Sequence, residues 1–286
     1  VSAHAPAAER ELLEGDARIT AEREEIKYLV PPERLEPLVA EIRAALQPHR
    51  FTGEGANTLP HAQHFVTTIY FDTKARTHFR AAQASSHSHV KLRAKEYYDL
   101  HPSLAELATD PSQIVKYSPW VWFEIKRREG SRTLKRRFRF EKRGVPVLFS
   151  GGALSVDALS LEADRDEARA GVSELVSYGR ALGEELRADC LVNYRRLSWQ
   201  EPTGALRVTL DLGLSYYPAP PDLWTRPSAL VRSALGPAAG VESQAVLEVK
   251  RRAALPRWLE QALSRAQLSS VNFSKFVAAG KAVHGG

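Results

Sequence analysis

The sequence predicts an α+β fold in which eight antiparallel strands dominate and a few helices pack against them. Three observations carry this expectation. Eight segments read as strands, and six of them alternate polar and apolar residues at the two-residue period of a strand. Two segments, 32–46 and 256–268, repeat apolar residues at helical spacing instead. The polar faces of the strands are repeatedly basic, with single carboxylates interleaved among Lys and Arg.

The elements follow in order. Residues 1–21 are rich in Ala and Glu and are expected to form a flexible leader. Arg23 to Val30 reads as a strand, stopped by Pro31 and Pro32. Proline is tolerated in the first turn of a helix, and Leu35, Leu38, Val39, Ile42 and Leu46 then share one helical face. Residues 49–63 are polar, contain Gly53 and Gly55, and read as a loop. Strands are expected over 64–72, 89–99, 120–128 and 133–142, followed by a mostly helical insertion at about 153–186. Three more strands fall at 190–199, 205–214 and 245–252. Pro218, Pro220, Pro221 and Pro227 mark a long connection before the last of these, and a closing helix begins near Pro256.

The whole chain sets broad bounds. Its 286 residues suit one large domain or two small ones, and 26% charged residues with 43% hydrophobic ones suit an ordinary soluble globular protein. No run approaches the ~18 apolar residues of a membrane span. Val1 to Gly15 lacks an apolar signal core and carries Glu9, Glu11 and Glu14, so a cytoplasmic location is expected. The single cysteine, Cys190, excludes an intramolecular disulfide and reads as a buried structural thiol in a reducing compartment.

Charge placement says more than the net +6, from 40 basic and 34 acidic residues. Lys91, Arg93 and Lys95 share one strand face, opposed by Val90, Leu92 and Ala94. Lys135, Arg137 and Arg139 oppose Leu134, Phe138 and Phe140. The same division separates Arg23, Glu25 and Lys27; Glu124, Lys126 and Arg128; Arg207, Thr209 and Asp211; and Glu248, Lys250 and Arg252. Two geometries produce it. A half-buried sheet turns its charges to solvent, whereas a barrel of about eight strands encloses them around a ligand. Enclosed cations are costly unless something neutralises them, so the second geometry implies a bound polyanion. The amphipathic helices would then cover the outside.

Nine segments in order resemble the VTC domain, the polyphosphate polymerase module among the CYTH-like triphosphate tunnel metalloenzymes. They are REEIKYLV, YFDT (70–73), KLRAKEYYD (91–99), FEIKRR (123–128), KRRF (135–138), YRRLSW (194–199), LRVTLD (206–211), VLEVKRR (246–252) and FSKF (273–276). The resemblance spans 22–282 as a single domain and implies a closed eight-stranded antiparallel β-barrel, the triphosphate tunnel, with its cations inward and helices outside. It implies Lys27, Arg93, Lys126, Arg196, Arg207 and Lys275 as catalytic cations. It implies Lys91, Lys95, Lys135, Arg137 and Lys250 as further phosphate-binding residues, and Glu248 as the ligand of Mn2+ or Mg2+. ATP and inorganic polyphosphate are the implied partners, with a membrane protein as a possible acceptor of product in a bacterial cell.

Two positions depart from the pattern. Hydrolytic tunnel enzymes carry Glu-x-Glu-x-Lys in the first strand, but here Arg23 takes the first glutamate's place. That favours transfer to a phosphate chain over hydrolysis. Lys95 stands in the second position of an Arg-x-Arg pair and offers a point charge in place of a fork. Glu25, Glu124 and Asp211 are expected to orient cations.

Other signals point elsewhere more weakly. No Gly-x-x-x-x-Gly-Lys-Ser/Thr loop exists, which argues against a P-loop ATPase. His61, His64, His78, His87 and His89 have no cysteine partner and read as solvated loop histidines. Trp120, Trp122 and Trp199 read as core or helix-packing residues, with adenine stacking the alternative for them. The competing functions are a triphosphatase and a non-catalytic module for polyphosphate or inositol phosphates. No RNA-reading motif is visible, and nucleic acid is not expected.

Overall fold

The computed structural model describes residues 24–49, 63–85, 87–98, 120–130, 132–141, 149–150, 153–154, 166–221, 223, 232 and 235–285. The expected leader 1–21, Arg23, most of the 49–63 loop with His61, residues 155–165 of the insertion, and Pro227 lie outside them.

Eight long strands and five helices are described. They are β1 (Glu24–Val30), α1 (Pro32–Ala45), β2 (Gln63–Asp72), α2 (Thr77–Ala84), β3 (Ser88–Tyr98), β4 (Trp120–Glu129), β5 (Arg132–Glu141), α3 (Asp166–Arg180), β6 (Arg187–Gln200), β7 (Leu206–Pro218), β8 (Ala245–Arg251), α4 (Arg257–Arg265) and α5 (Lys275–His284). The strands pair in the order β1-β8-β7-β6-β2-β3-β4-β5. Every printed register between long strands is antiparallel. All eight expected strands are present, and the largest differences are extensions of β6 back to Arg187 and of β7 on to Pro218.

The chain divides into two compact units. The first takes the described residues up to His64, Tyr194–Leu214 and Val241–Phe273. Its core is the apolar face of its strands, with Tyr28, Leu206, Val208, Leu247 and Val249, covered by Leu38 and Ile42 of α1 and by Leu259 and Leu263 of α4. Helix α1 begins at Pro32, where the missing N–H costs nothing. The two helical stripes read from the sequence are these buried faces.

The second unit takes Phe65–Asn193, Ser215–Gly240 and Ser274–Gly286. Leu92 and Ala94 of β3, Val121, Phe123 and Ile125 of β4 and Phe138 of β5 pack against Val172 and Leu175 of α3. The rings of Phe71, Phe123 and Phe138 stack in series, with centroids 6.1 Å and 5.5 Å apart. Each such buried ring contributes roughly 2 kcal/mol of transfer free energy. In both units helices cover the apolar strand faces, so the charged residues are left on the opposite side.

Helix α2 was not expected from the sequence, because its cap is remote. Asp72, at the end of β2, accepts hydrogen bonds from the backbone N–H groups of Thr73 (2.8 Å), His78 (3.0 Å) and Phe79 (2.7 Å). A carboxylate five residues before the helix thus satisfies its first-turn donors, while Arg76 takes the left-handed conformation, φ 56°, that turns the chain. The tail after 274 is likewise a helix, α5, capped by the Ser274 hydroxyl accepting from Val277 N–H at 3.3 Å. The expected mostly helical insertion holds helix α3, yet its first residues, Ala153–Leu154, form a short strand paired with Phe149–Ser150 just before it.

Two histidine expectations are corrected. His64 and His78 are buried, not solvated. His78 sits edge-on to Tyr178 with ring centroids 6.1 Å apart, and burial pushes its pKa down against the pull of Asp72. Cys190 is buried as expected, and burial, reinforced by Asp189, holds its thiol well above its ordinary pKa. Among the described residues no helix is long and apolar enough to cross a membrane.

Gly171 of α3 lies against the Phe138 ring, and a Cβ there would come within 2.3 Å of it. Alanine would gain about 1 kcal/mol of helix propensity, but the buried ring cannot move aside freely. Gly171→Ala is therefore expected to destabilise the protein by roughly 1–3 kcal/mol in urea unfolding. Adding Phe138→Leu should recover part of that loss.

Candidate functional site

In the second unit, register places the predicted cations in rows across three strands. Lys91, Lys126 and Lys135 form one row, and Arg93, Glu124 and Arg137 the next. Lys95 stands opposite Trp122 in a third. All of these side chains share the face away from α3, because they alternate with the residues of the α3-covered core.

Glu124 is the centre of this face, with a side chain only 2% exposed. Arg93 donates to its Oε2 through Nε at 2.7 Å and Nη2 at 2.6 Å. Lys95 Nζ lies 3.3 Å from the same oxygen, while Lys135 Nζ at 3.3 Å and Arg137 Nε at 3.5 Å approach Oε1. Burial alone would raise the Glu124 pKa, but Arg93, then Lys135, Lys95 and Arg137, override it and hold the carboxyl well below its usual range. Four cations about one carboxylate leave three positive charges in surplus among these five groups. Like charges at such spacing repel strongly at low dielectric, so the arrangement favours an anionic ligand.

Aromatic groups hold Arg137 in place. Its guanidinium lies 3.9 Å from the Trp122 ring centroid and 5.7 Å from that of Tyr97, and it donates to the Tyr97 hydroxyl at 3.3 Å. Trp122 is therefore corrected from a core residue to a member of the basic face, with an arginine on its ring. Trp199 is in the core as expected, and the Trp120 side chain lies outside the described residues. Lys91 donates to the Ser274 hydroxyl at 2.9 Å, at the cap of α5. Lys275 is the first residue of α5 and belongs to the same unit.

The first unit gathers the other predicted residues on one face of β1, β8, β7 and β6. Lys27 stands opposite Glu248, which stands opposite Thr209; Glu25, Lys250 and Arg207 form the neighbouring row. Lys27 Nζ pairs with Glu25 at 3.1 Å and donates to the Phe273 carbonyl at 3.0 Å. Arg196 grips both oxygens of Asp211, Nε to Oδ1 at 2.6 Å and Nη2 to Oδ2 at 2.7 Å. Although burial opposes it, Asp211 carries the Arg196 pKa well above its ordinary value. Arg207 donates to the Gln200 side-chain oxygen at 2.7 Å. These four cations meet three carboxylates, so this face is nearly balanced.

Glu248 faces Lys250 at 2.9 Å and raises its pKa, against burial. The Thr209 hydroxyl, directly across from Glu248, is buried without a hydrogen-bond partner among the described residues. Two adjacent oxygen donors fit a hard divalent cation that keeps waters or phosphate oxygens in its remaining positions. Among the described residues no three His, Cys, Asp or Glu gather into a protein-only metal cage.

Tyr70, Tyr97, Gln200, Thr209, Ser274 and Phe276 contribute contacts that motif reasoning passed over. Tyr97 and Trp122 were within reach, since they share strand parity with Lys95 and Glu124. Tyr70 and Ser274 needed the register and the helix placement. Glu124→Gln should destabilise the protein by roughly 3 kcal/mol, at the low end for a broken buried pair because the cations keep partial exposure. Its carboxyl is depressed in the folded state, so its contribution is complete above the ordinary pKa of 4.5 and is lost as pH falls below it. Urea unfolding of wild type from pH 7 to 3 should show that loss, and the Gln variant should be flatter.

A candidate adenylyl cyclase from Hippeastrum, described as having a dominant triphosphatase activity, is similar at 15% identity, 91% of this chain, 95% of that chain and TM-score 0.46. A candidate adenylate cyclase from Bacillus halodurans is similar at 12% identity over 89% and 96% of the two chains, with TM-score 0.44. A protein from Pyrococcus horikoshii reaches 10% identity over 85% and 86%, with TM-score 0.36. No curated protein sequence matches. The family model for the VTC domain matches residues 22–284, and the chain belongs to the VTC domain family.

Proposed function

We propose that this protein is a metal-dependent polyphosphate polymerase, moving the γ-phosphoryl group of ATP to the end of an inorganic polyphosphate chain. The observation that carries the reading is the group of four cations around buried Glu124. In this reading residues 22–282 act as one domain, with the eight strands closed into a tunnel and the basic face inward.

Phosphoryl transfer needs positioning and stabilisation of moving charge more than covalent help from the protein. Arg93, Lys95, Lys135 and Arg137 would take phosphate oxygens, with Lys91 and Lys126 extending the row. Lys27, Arg196, Arg207, Lys250 and Lys275 would bind in the same manner. A terminal oxygen of the polyphosphate chain attacks the γ-phosphorus, the bond to the β-phosphate bridging oxygen breaks, and ADP leaves with that electron pair. Glu248, with Thr209 beside it, would hold Mn2+ or Mg2+, which supplies charge neutralisation to the phosphate oxygens. Glu25, Glu124 and Asp211 orient cations and take no proton.

The test is incubation of pure protein with ATP and Mn2+. Long-chain polyphosphate on a gel is the expected product. Free phosphate alone would make the enzyme a triphosphatase, and anion binding without turnover would make it a sensor. Arg207→Ala and Lys275→Ala should each lower turnover by roughly 100-fold, the usual loss on removing one charge-stabilising group, with unfolding midpoints near wild type. Wild-type turnover in both variants would sink the assignment of these residues.

A further inference from the structure

We infer that Tyr70 and Phe276 are positioning residues that orient Arg93 and Lys275 toward the anion, an inference that rests on the phosphoryl-transfer reading above. Tyr70 of β2 stands directly opposite Arg93 of β3 in the strand register. Its side chain is 2% exposed and stands beside Arg93 across the strand pair, on the same side of the sheet. Arg93 spends its Nε and Nη2 on Glu124. Arg93 is therefore flanked from two strands at once, gripped by Glu124 on β4 and neighboured by Tyr70 on β2.

The two restraints differ in charge. Glu124 offsets part of the positive charge around it. Burial pushes the Tyr70 hydroxyl up to about 12, against the opposing pull of Arg93, so it stays neutral at physiological pH. A neutral neighbour limits where the Arg93 side chain can turn without adding a second negative charge beside it.

The Tyr70 ring continues the connection into α5. It stacks on Phe276 with centroids 4.7 Å apart and an interplanar angle of 22°. Phe276 is 1% exposed and is also packed edge-on to Phe79 at 6.0 Å. Its chain neighbour is Lys275, and the residue before that, Ser274, accepts from Lys91 at 2.9 Å. Lys275 is thus bracketed by two residues that are each tied to the basic strands, one through Lys91 and one through Tyr70.

The test is a pair of double-mutant cycles read by calorimetric titration with inorganic tripolyphosphate. Tyr70→Phe keeps the stack and removes only the hydroxyl. It is expected to weaken binding ~10-fold in the wild-type background and less than ~2-fold in the Arg93→Ala background. Phe276→Leu should weaken binding ~5-fold in wild type, show no further loss beside Lys275→Ala, and be rescued by Phe276→Tyr. Equal losses in both backgrounds, or no loss at all, overturn the positioning role. If Tyr70→Phe proves unstable to heat, the Phe276 cycle carries the decision by itself. Failure of the wild type to bind tripolyphosphate overturns the phosphoryl-transfer reading and this inference together. Binding by wild type with additive cycles overturns the inference alone.

Discussion

Four cations converge on one carboxylate at Glu124, and the rest of the basic face in its unit is built around that contact. Buried without partners, the carboxyl would take up a proton; the approach of Arg93, Lys95, Lys135 and Arg137 keeps it ionised. The dependence is mutual, because four neighbouring cations without Glu124 would repel one another across the same few ångströms. Their side chains are 9% to 23% exposed, so water screens them only in part. What remains is a cluster of cations on strands whose other face is packed with aromatic rings.

The other basic face is organised by a different rule. Arg196 and Asp211 form a closed bidentate pair, Lys250 meets Glu248, and Lys27 meets Glu25. Pairing of this kind costs desolvation that good geometry offsets, and it confers orientation more than net attraction. One face therefore carries surplus charge, and the other carries oriented but largely balanced charge.

The helices explain why the charged residues have a face to themselves. Helices α1 and α4 in one unit and α3 in the other occupy the apolar sides of the strands. Helix α5 has another task. Its cap serine accepts from Lys91 and its first-turn Phe276 stacks on Tyr70, while Gly280 allows close approach to Phe79, where a Cβ would come within 2.3 Å of the ring. The contacts of α5 tie this helix to the residues proposed to handle phosphate.

Strand identity was legible in the sequence because period-two alternation is local: Val90 to Lys95 declare their two faces within six residues. The stripes of α1 and α4 were legible for the same reason at helical period. Helix α2 was not, since its cap is Asp72, outside the adjacent position where a cap is sought. His64 and His78 were misread because burial depends on elements distant in the chain. The cations themselves could be named from the sequence, but alternation fits a basic outer face and a basic binding face equally well. Only tertiary structure brought Arg93, Lys95, Lys135 and Arg137 onto one carboxylate, set Trp122 under Arg137, and placed Tyr70 between Arg93 and Phe276. Those contacts join residues up to about two hundred positions apart, and register between strands is fixed by packing that no short segment contains.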